Sequence, residues 1–249
     1  MRVPFLPETQ TIIREVERLS GRPVHVQEDH SLKVLATVQT ARGAMPAHFV
    51  RYKGDSQAAS YLVAYQLGFL VRMFSCPPAG RFEVAASPAD HRIARERLGL
   101  MEFEPQFAQG MAGSIITQVR SIPVGMRVDW WIRREYPALI VEQSKAAQTQ
   151  LATNEQALAP EIRGRFPKPL VDANTAMNAA FAAFWSGEWG DRKYKLPYAL
   201  LGCGPIAAKL LAALDEIPDD PLKDRELIAR WAELTGLDGL FHFEPHQLD

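Results

Sequence analysis

Tyr61-Leu62-Val63-Ala64-Tyr65-Gln66-Leu67-Gly68-Phe69-Leu70-Val71-Arg72 is the stretch on which the reading of this chain turns. Before Arg72 its only strongly polar side chain is Gln66, so the segment reads as a helix buried on nearly all sides. The helix is expected over residues 56–75, capped by Asp55 or Ser56 and stopped before Pro77-Pro78. A buried amide left unpaired costs about 1–3 kcal/mol, so Gln66 should find a hydrogen-bond partner inside the fold.

On the N-terminal side, Pro7-Glu8-Thr9 opens a first helix with Ile12, Ile13, Val16 and Leu19 at helical spacing, and Gly21 closes it. Residues 24–26, 33–38 and 48–52 alternate in the manner of strands and are separated by Glu28-Asp29 and Arg42-Gly43, which predicts two or three antiparallel strands. Beyond Gly80 the chain turns helical. Pro88-Ala89-Asp90 begins a charged helix that runs to Leu98, and residues 109–120 suit either helix or strand because of Gly110 and Gly113. Pro123 starts a segment through Ile132 with one apolar face, and residues 138–158 have the Ala, Gln, Glu and Leu content of a long helix. After a Pro-rich linker at residues 164–169, three helices are expected at 173–185, 205–217 and 221–235. Asp220 caps the last and Gly236 closes it. The predicted fold class is α+β, mainly helical, with a small antiparallel sheet near the N-terminus packed on the central buried helix. The expected division is a core of residues 1–163 and a C-terminal helical region of residues 164–249, separate or part of the same domain.

Tyr65-Gln66-Leu67-Gly68-Phe69 resembles His-Glu-Leu-Gly-His, a form of the signature of zincin-type zinc metallopeptidases. The order helix, strands, central helix over residues 8–75 is also similar to the N-terminal part of a small bacterial zincin domain. In that family two His bind zinc and the Glu activates the bound water. Here Tyr65 and Phe69 stand at the imidazole positions and Gln66 at the base, so every residue that does the chemistry is replaced. The resemblance implies a metallopeptidase fold without metal or peptidase activity, with no cofactor, and makes Asp129 the candidate remnant of a third ligand from a later helix. The alternative is an ordinary core helix that owes nothing to zincins.

Other residues offer chemistry of their own. His242-Phe243-Glu244-Pro245-His246 has ligand-like spacing, but Pro245 opposes a regular helix, so His242, Glu244 and His246 form either a weak metal site or an exposed C-terminal tail. Cys203, just before a helix starting at Pro205, is either a thiol activated by the helix dipole or a small buried residue. Trp185, Trp189 and Tyr194, interleaved with Arg192, Lys193 and Lys195, read as packing at a helix end or as a protein-binding spot. A net charge of −1 gives no basic field, so nucleic acid is not an expected partner. No run reaches the ~18 apolar residues of a membrane span. Two isolated cysteines, and an N-terminus (residues 1–8) without a leader-like apolar core, suit a cytoplasmic protein. The expectation is a catalytically inactive, zincin-like subunit that binds another protein. The alternatives are a hydrolase built on Cys203 or a histidine, or a helical scaffold.

Overall fold

A computed structural model describes residues 5–54 and 56–247. The fold is α+β and mainly helical, with a three-stranded sheet beside the second helix. Helix α1 (Pro7–Ser20) takes Pro7 in its first turn and ends on Gly21, whose φ of 69° suits a residue without a Cβ. Strands β1 (Val24–Glu28), β2 (Ala36–Gln39) and β3 (His48–Tyr52) follow, and then α2 (Ala59–Ser75).

The sheet corrects the expectation of an all-antiparallel arrangement. Its order is β1-β3-β2, with β2 antiparallel to β3 but β1 parallel to it. The centre belongs to the strand hydrogen-bonded on both edges, and His48, Val50 and Tyr52 make β3 the most regularly buried of the three. The β1–β3 ladder continues past the strand end, where Asp29 N donates to Tyr52 O at 2.9 Å. Asp29 Oδ1 then accepts from Ser31 N and begins the passage to β2, so Glu28-Asp29 is not a hairpin turn.

Helix α2 begins later than expected, at Ala59. Ser56 accepts only from Ala58 N, and Asp55, the other expected cap, lies outside the described residues. The Tyr61 amide in the first turn is instead taken by Glu142 Oε2 at 2.9 Å, a carboxylate distant in sequence doing the work of an N-cap.

Strand β4 (Phe82–Ala85) leads into α3 (Pro88–Arg97), entered through a capping box in which Ser87 and Asp90 bond each other's backbone amides. Helix α4 (Pro105–Glu135) is one continuous run of 31 residues and passes through Pro123. Pro123 was expected to start a helix because it removes a donor. Burial of Val119, Val124 and Met126 on either side outweighs that local cost. Helices α5 (Ile140–Gln156), α6 (Pro160–Arg163), α7 (Lys168–Trp189), α8 (Leu196–Leu200), α9 (Gly204–Glu216) and α10 (Asp224–Thr235) follow, and β5 (His242–Pro245) pairs with β4.

The described chain forms two compact units. One takes residues up to 82, 127–149 and those from 245 onward; the other takes 83–126 and 150–244. This interleaved partition differs from a division at residues 163 and 164, because α4 and α5 each contribute to both units. The expected linker at 164–169 is only the turn between α6 and α7, inside the second unit. In the α+β unit, α2 carries the core: Leu62, Val63, Leu67, Leu70 and Phe74 pack with Ile12, Val50, Val128 and Ile132. In the helical unit, α7 lies against α9 and α10, Trp185 and Trp231 are fully buried, and Trp231 Nε1 donates to Leu210 O at 3.0 Å. Among the described residues no helix is long and apolar enough to cross a membrane.

Candidate functional site

Tyr61, Tyr65 and Phe69 lie four residues apart and therefore share one face of α2. Their rings form a ladder, with Tyr61 and Tyr65 centroids 5.7 Å apart and Tyr65 and Phe69 meeting edge to face at 5.3 Å. Gly68 is explained by proximity: a Cβ there would lie 2.4 Å from Val128 Cγ1, so the bare backbone lets α2 approach α4 closely.

Gln66 is half-buried, and its Nε2 donates to Ala36 O at 3.3 Å. Leu35 O accepts from Lys53 N on the β3 side, so the next carbonyl along β2 points to the free edge of the sheet. The amide therefore blocks one open acceptor of an edge strand, which ties the helix to the sheet.

Asp129 is 1% exposed and faces the same helix. Its Oδ1 accepts from Tyr61 Oη at 2.7 Å and from Gln143 Nε2 at 2.8 Å, and Gln143 Nε2 also reaches the Asp129 backbone carbonyl at 3.0 Å. Burial pushes the Tyr61 and Tyr65 hydroxyls well above the usual phenol range, and the nearby Asp129 charge adds to it, so both stay protonated. The structure thus brings Tyr65, Gln66, Phe69 and Asp129 into one unit and adds two residues the sequence did not single out. Tyr61 was detectable as the residue one turn before Tyr65. Gln143 sits on another helix and carries no sequence signal.

These residues do not fit a zinc ion. A phenyl ring, a protonated phenol and an amide are not its usual ligands, and the one carboxylate is already engaged at Oδ1 by two donors. Nor can Gln66 take a proton from water. A broad hollow of about 450 Å³ lies near the start of α2, with Lys53, Ser56, Lys145 and Gln148 on its wall. The Tyr61 amide of that helix start is already bonded to Glu142.

The C-terminal histidines part company. His242 Nδ1 meets Asp90 Oδ2 at 2.7 Å and its Nε2 meets Glu244 Oε1 at 2.9 Å, so both ring nitrogens are held by carboxylates. These contacts, that with Glu244 first, push the His242 pKa up. His246 is buried, with its ring 5.7 Å from Phe74 and its amide donating to Arg81 O. Residues 242–245 form a strand, which corrects the reading of an exposed tail: Pro245 excludes helix but is tolerated at a strand end. Among the described residues no group of three or more His, Cys, Asp or Glu is arranged to hold a metal ion.

His48 is a buried residue the sequence reading passed over. It is 0% exposed, and its Nδ1 accepts from Ala41 N at 2.9 Å. Burial, aided by His246 and Arg22, lowers its pKa to about 4. Cys203 precedes α9 as expected, but burial raises its thiol pKa despite Arg163, which keeps it a poor nucleophile. Cys76 is buried, and its thiol donates to Arg72 O at 3.6 Å. Trp185 and Trp189 stack at 4.8 Å and Trp189 meets Tyr194 at 5.1 Å, so this aromatic cluster is packing at the end of α7.

Comparisons with protein-family models, with curated proteins and with solved structures find no match, and the reading of this site therefore rests on its own geometry.

Proposed function

We propose that the chain is a catalytically inactive, zincin-like protein that acts as a regulatory or structural subunit by binding another protein. One observation carries the inactive part of this reading. At each position where the zincin signature needs a ligand or a base, the side chain is engaged in packing or in an internal hydrogen bond: Tyr65 and Phe69 with each other, Gln66 with Ala36 O, and Asp129 with Tyr61 and Gln143. The binding part is supported by large apolar side chains left in water. In the helical unit Leu196 and Leu200, one turn apart on α8, are 55% and 80% exposed. Nothing in the unit's interior requires them there, whereas an interface would cover them.

The test has two arms. The purified chain should turn over no peptide with or without added zinc, and it should co-purify with one stoichiometric protein partner when isolated from its own cell. Leu196→Glu with Leu200→Glu should release that partner while leaving the melting temperature unchanged, since both side chains are exposed. Peptidase activity abolished by a chelator overturns the inactive reading. A chain that is partnerless after cross-linking in the cell overturns the binding reading. Homologous chains carrying His, Glu and His at positions 65, 66 and 69 would support the zincin origin; a family with only apolar residues there would favour the plain core helix.

A further inference from the structure

The helical unit holds a cavity of about 270 Å³ lined by α4, α6, the turn after it and the start of α7. Met111, Ile115, Phe166 and Leu170 supply most of its apolar wall, and Arg163 and Gln118 supply polar groups. Arg163 Nε and Gln118 Oε1 are shielded from water, and neither has a hydrogen-bond partner. A buried donor on a cation and a buried amide oxygen are costly to leave unanswered, and both belong to side chains that line one cavity. Asp172, whose charge is felt at Cys203 alongside that of Arg163, is already paired with Lys168 and does not answer the guanidinium.

We propose that this cavity is a binding site for a small monocarboxylate with an apolar body, its carboxylate on Arg163 and its tail against Met111, Ile115, Phe166 and Leu170. The chemistry of the wall selects this class. A neutral apolar molecule would leave the Arg163 guanidinium on the cavity wall unanswered, and a doubly charged phosphate would face apolar groups with one cation to balance it. Gln118, with its amide turned over, offers its NH₂ to the carboxylate. The volume lies just below the ~300–1,000 Å³ of most small-ligand sites, which sets the guest at on the order of ten non-hydrogen atoms. The site belongs to the helical unit and does not depend on the zincin reading.

The experiment is a protein-observed NMR titration of the full chain with straight-chain carboxylates from butanoate to decanoate and with phenylpropanoate, each set against its primary amide. Saturable shifts at Ile115, Leu170 and neighbouring residues are expected with the acids. The matching amides should bind about 10–100-fold more weakly, because a charge-assisted hydrogen bond is lost. Arg163→Met should weaken the acids by a similar factor without lowering the melting temperature. Should that variant not fold, the acid-to-amide ratio on the wild-type chain decides alone. No saturable binding by any acid, amides that bind as tightly as acids, or shifts that map outside the cavity would each overturn the proposal.

Discussion

Asp129 in the α+β unit accepts hydrogen bonds from Tyr61 and Gln143, whereas Arg163 and Gln118 in the helical unit border a cavity with buried atoms that no protein group answers. The first region is where the sequence motif points, and its side chains bond and pack on one another, with Gln143 Oε1 left over but lining neither cavity. The second carries no motif, and its polar atoms are unanswered. A motif marks where chemistry could be written, but binding a ligand requires unanswered polar side chains on the wall of an open space. By that criterion the ligand site proposed above lies on α4, α6 and α7, while α2 carries the core of its own unit.

The severest challenge to this contrast is to restore the motif. Tyr65→His, Gln66→Glu and Phe69→His together should lower stability by on the order of 3 kcal/mol or more, through lost ring packing and a carboxylate set against the Ala36 carbonyl. Thermal melting and elemental analysis check this. A stable variant that loads one zinc per chain would mean that this helix face can still build a metal site and that the contrast is false.

Two milder changes sharpen it. Tyr61→Phe removes a hydrogen bond to a buried carboxylate and should cost about 1.5–3 kcal/mol in a denaturant titration. An effect near zero would mean that water replaces the hydroxyl, and that Asp129 is more accessible than its burial indicates. Gly68→Ala gains roughly 1 kcal/mol of helix propensity, yet its methyl must displace Val128, which costs about 1–3 kcal/mol. The expected net is a loss of about 1 kcal/mol, and a stabilised variant would show that α2 and α4 can separate freely.

How much of this was legible beforehand varies with the range of the forces. Helix α2 could be read because twelve successive residues with almost no polar side chain leave few other outcomes, and Gln66 had to find a partner for the same reason. The fold class followed from the order of periodic segments. The parallel pairing of β1 with β3 was not legible, since which strand takes the centre of the sheet, and so pairs with β1, is a tertiary outcome that the turn residues do not encode. Pro123 misled because a local rule was overridden by packing. Asp129 could be singled out by its place after α2, but its partner Gln143, the Glu142 cap and the Arg163 cavity are tertiary facts that no spacing encodes.

A change of pH separates the two units by sign. His48 in the α+β unit has its pKa lowered from 6.5 to about 4. Between those values the unfolded chain holds the extra proton, so the stability His48 contributes is complete above pH 6.5 and is lost as the pH falls toward 4, roughly 3 kcal/mol in all. His242 in the helical unit is raised above 6.5 by Glu244 and Asp90, and Asp90 is lowered below 3.8, chiefly by the Ser87 amide. The His242 contribution is complete below 6.5 and fades as the pH rises through its folded value, while that of Asp90 is complete above 3.8. From pH 6.5 down to 4 the clamp in the helical unit therefore holds as the α+β unit weakens. Amide exchange, corrected for its intrinsic pH dependence, should show protection of residues 48–52 falling across that interval while that of residues 242–245 stays level. His242→Gln should remove the decline in the second segment above pH 6.5, by a small amount because the ring is exposed. Parallel loss in both segments on the acid side would mean that the two units open as one.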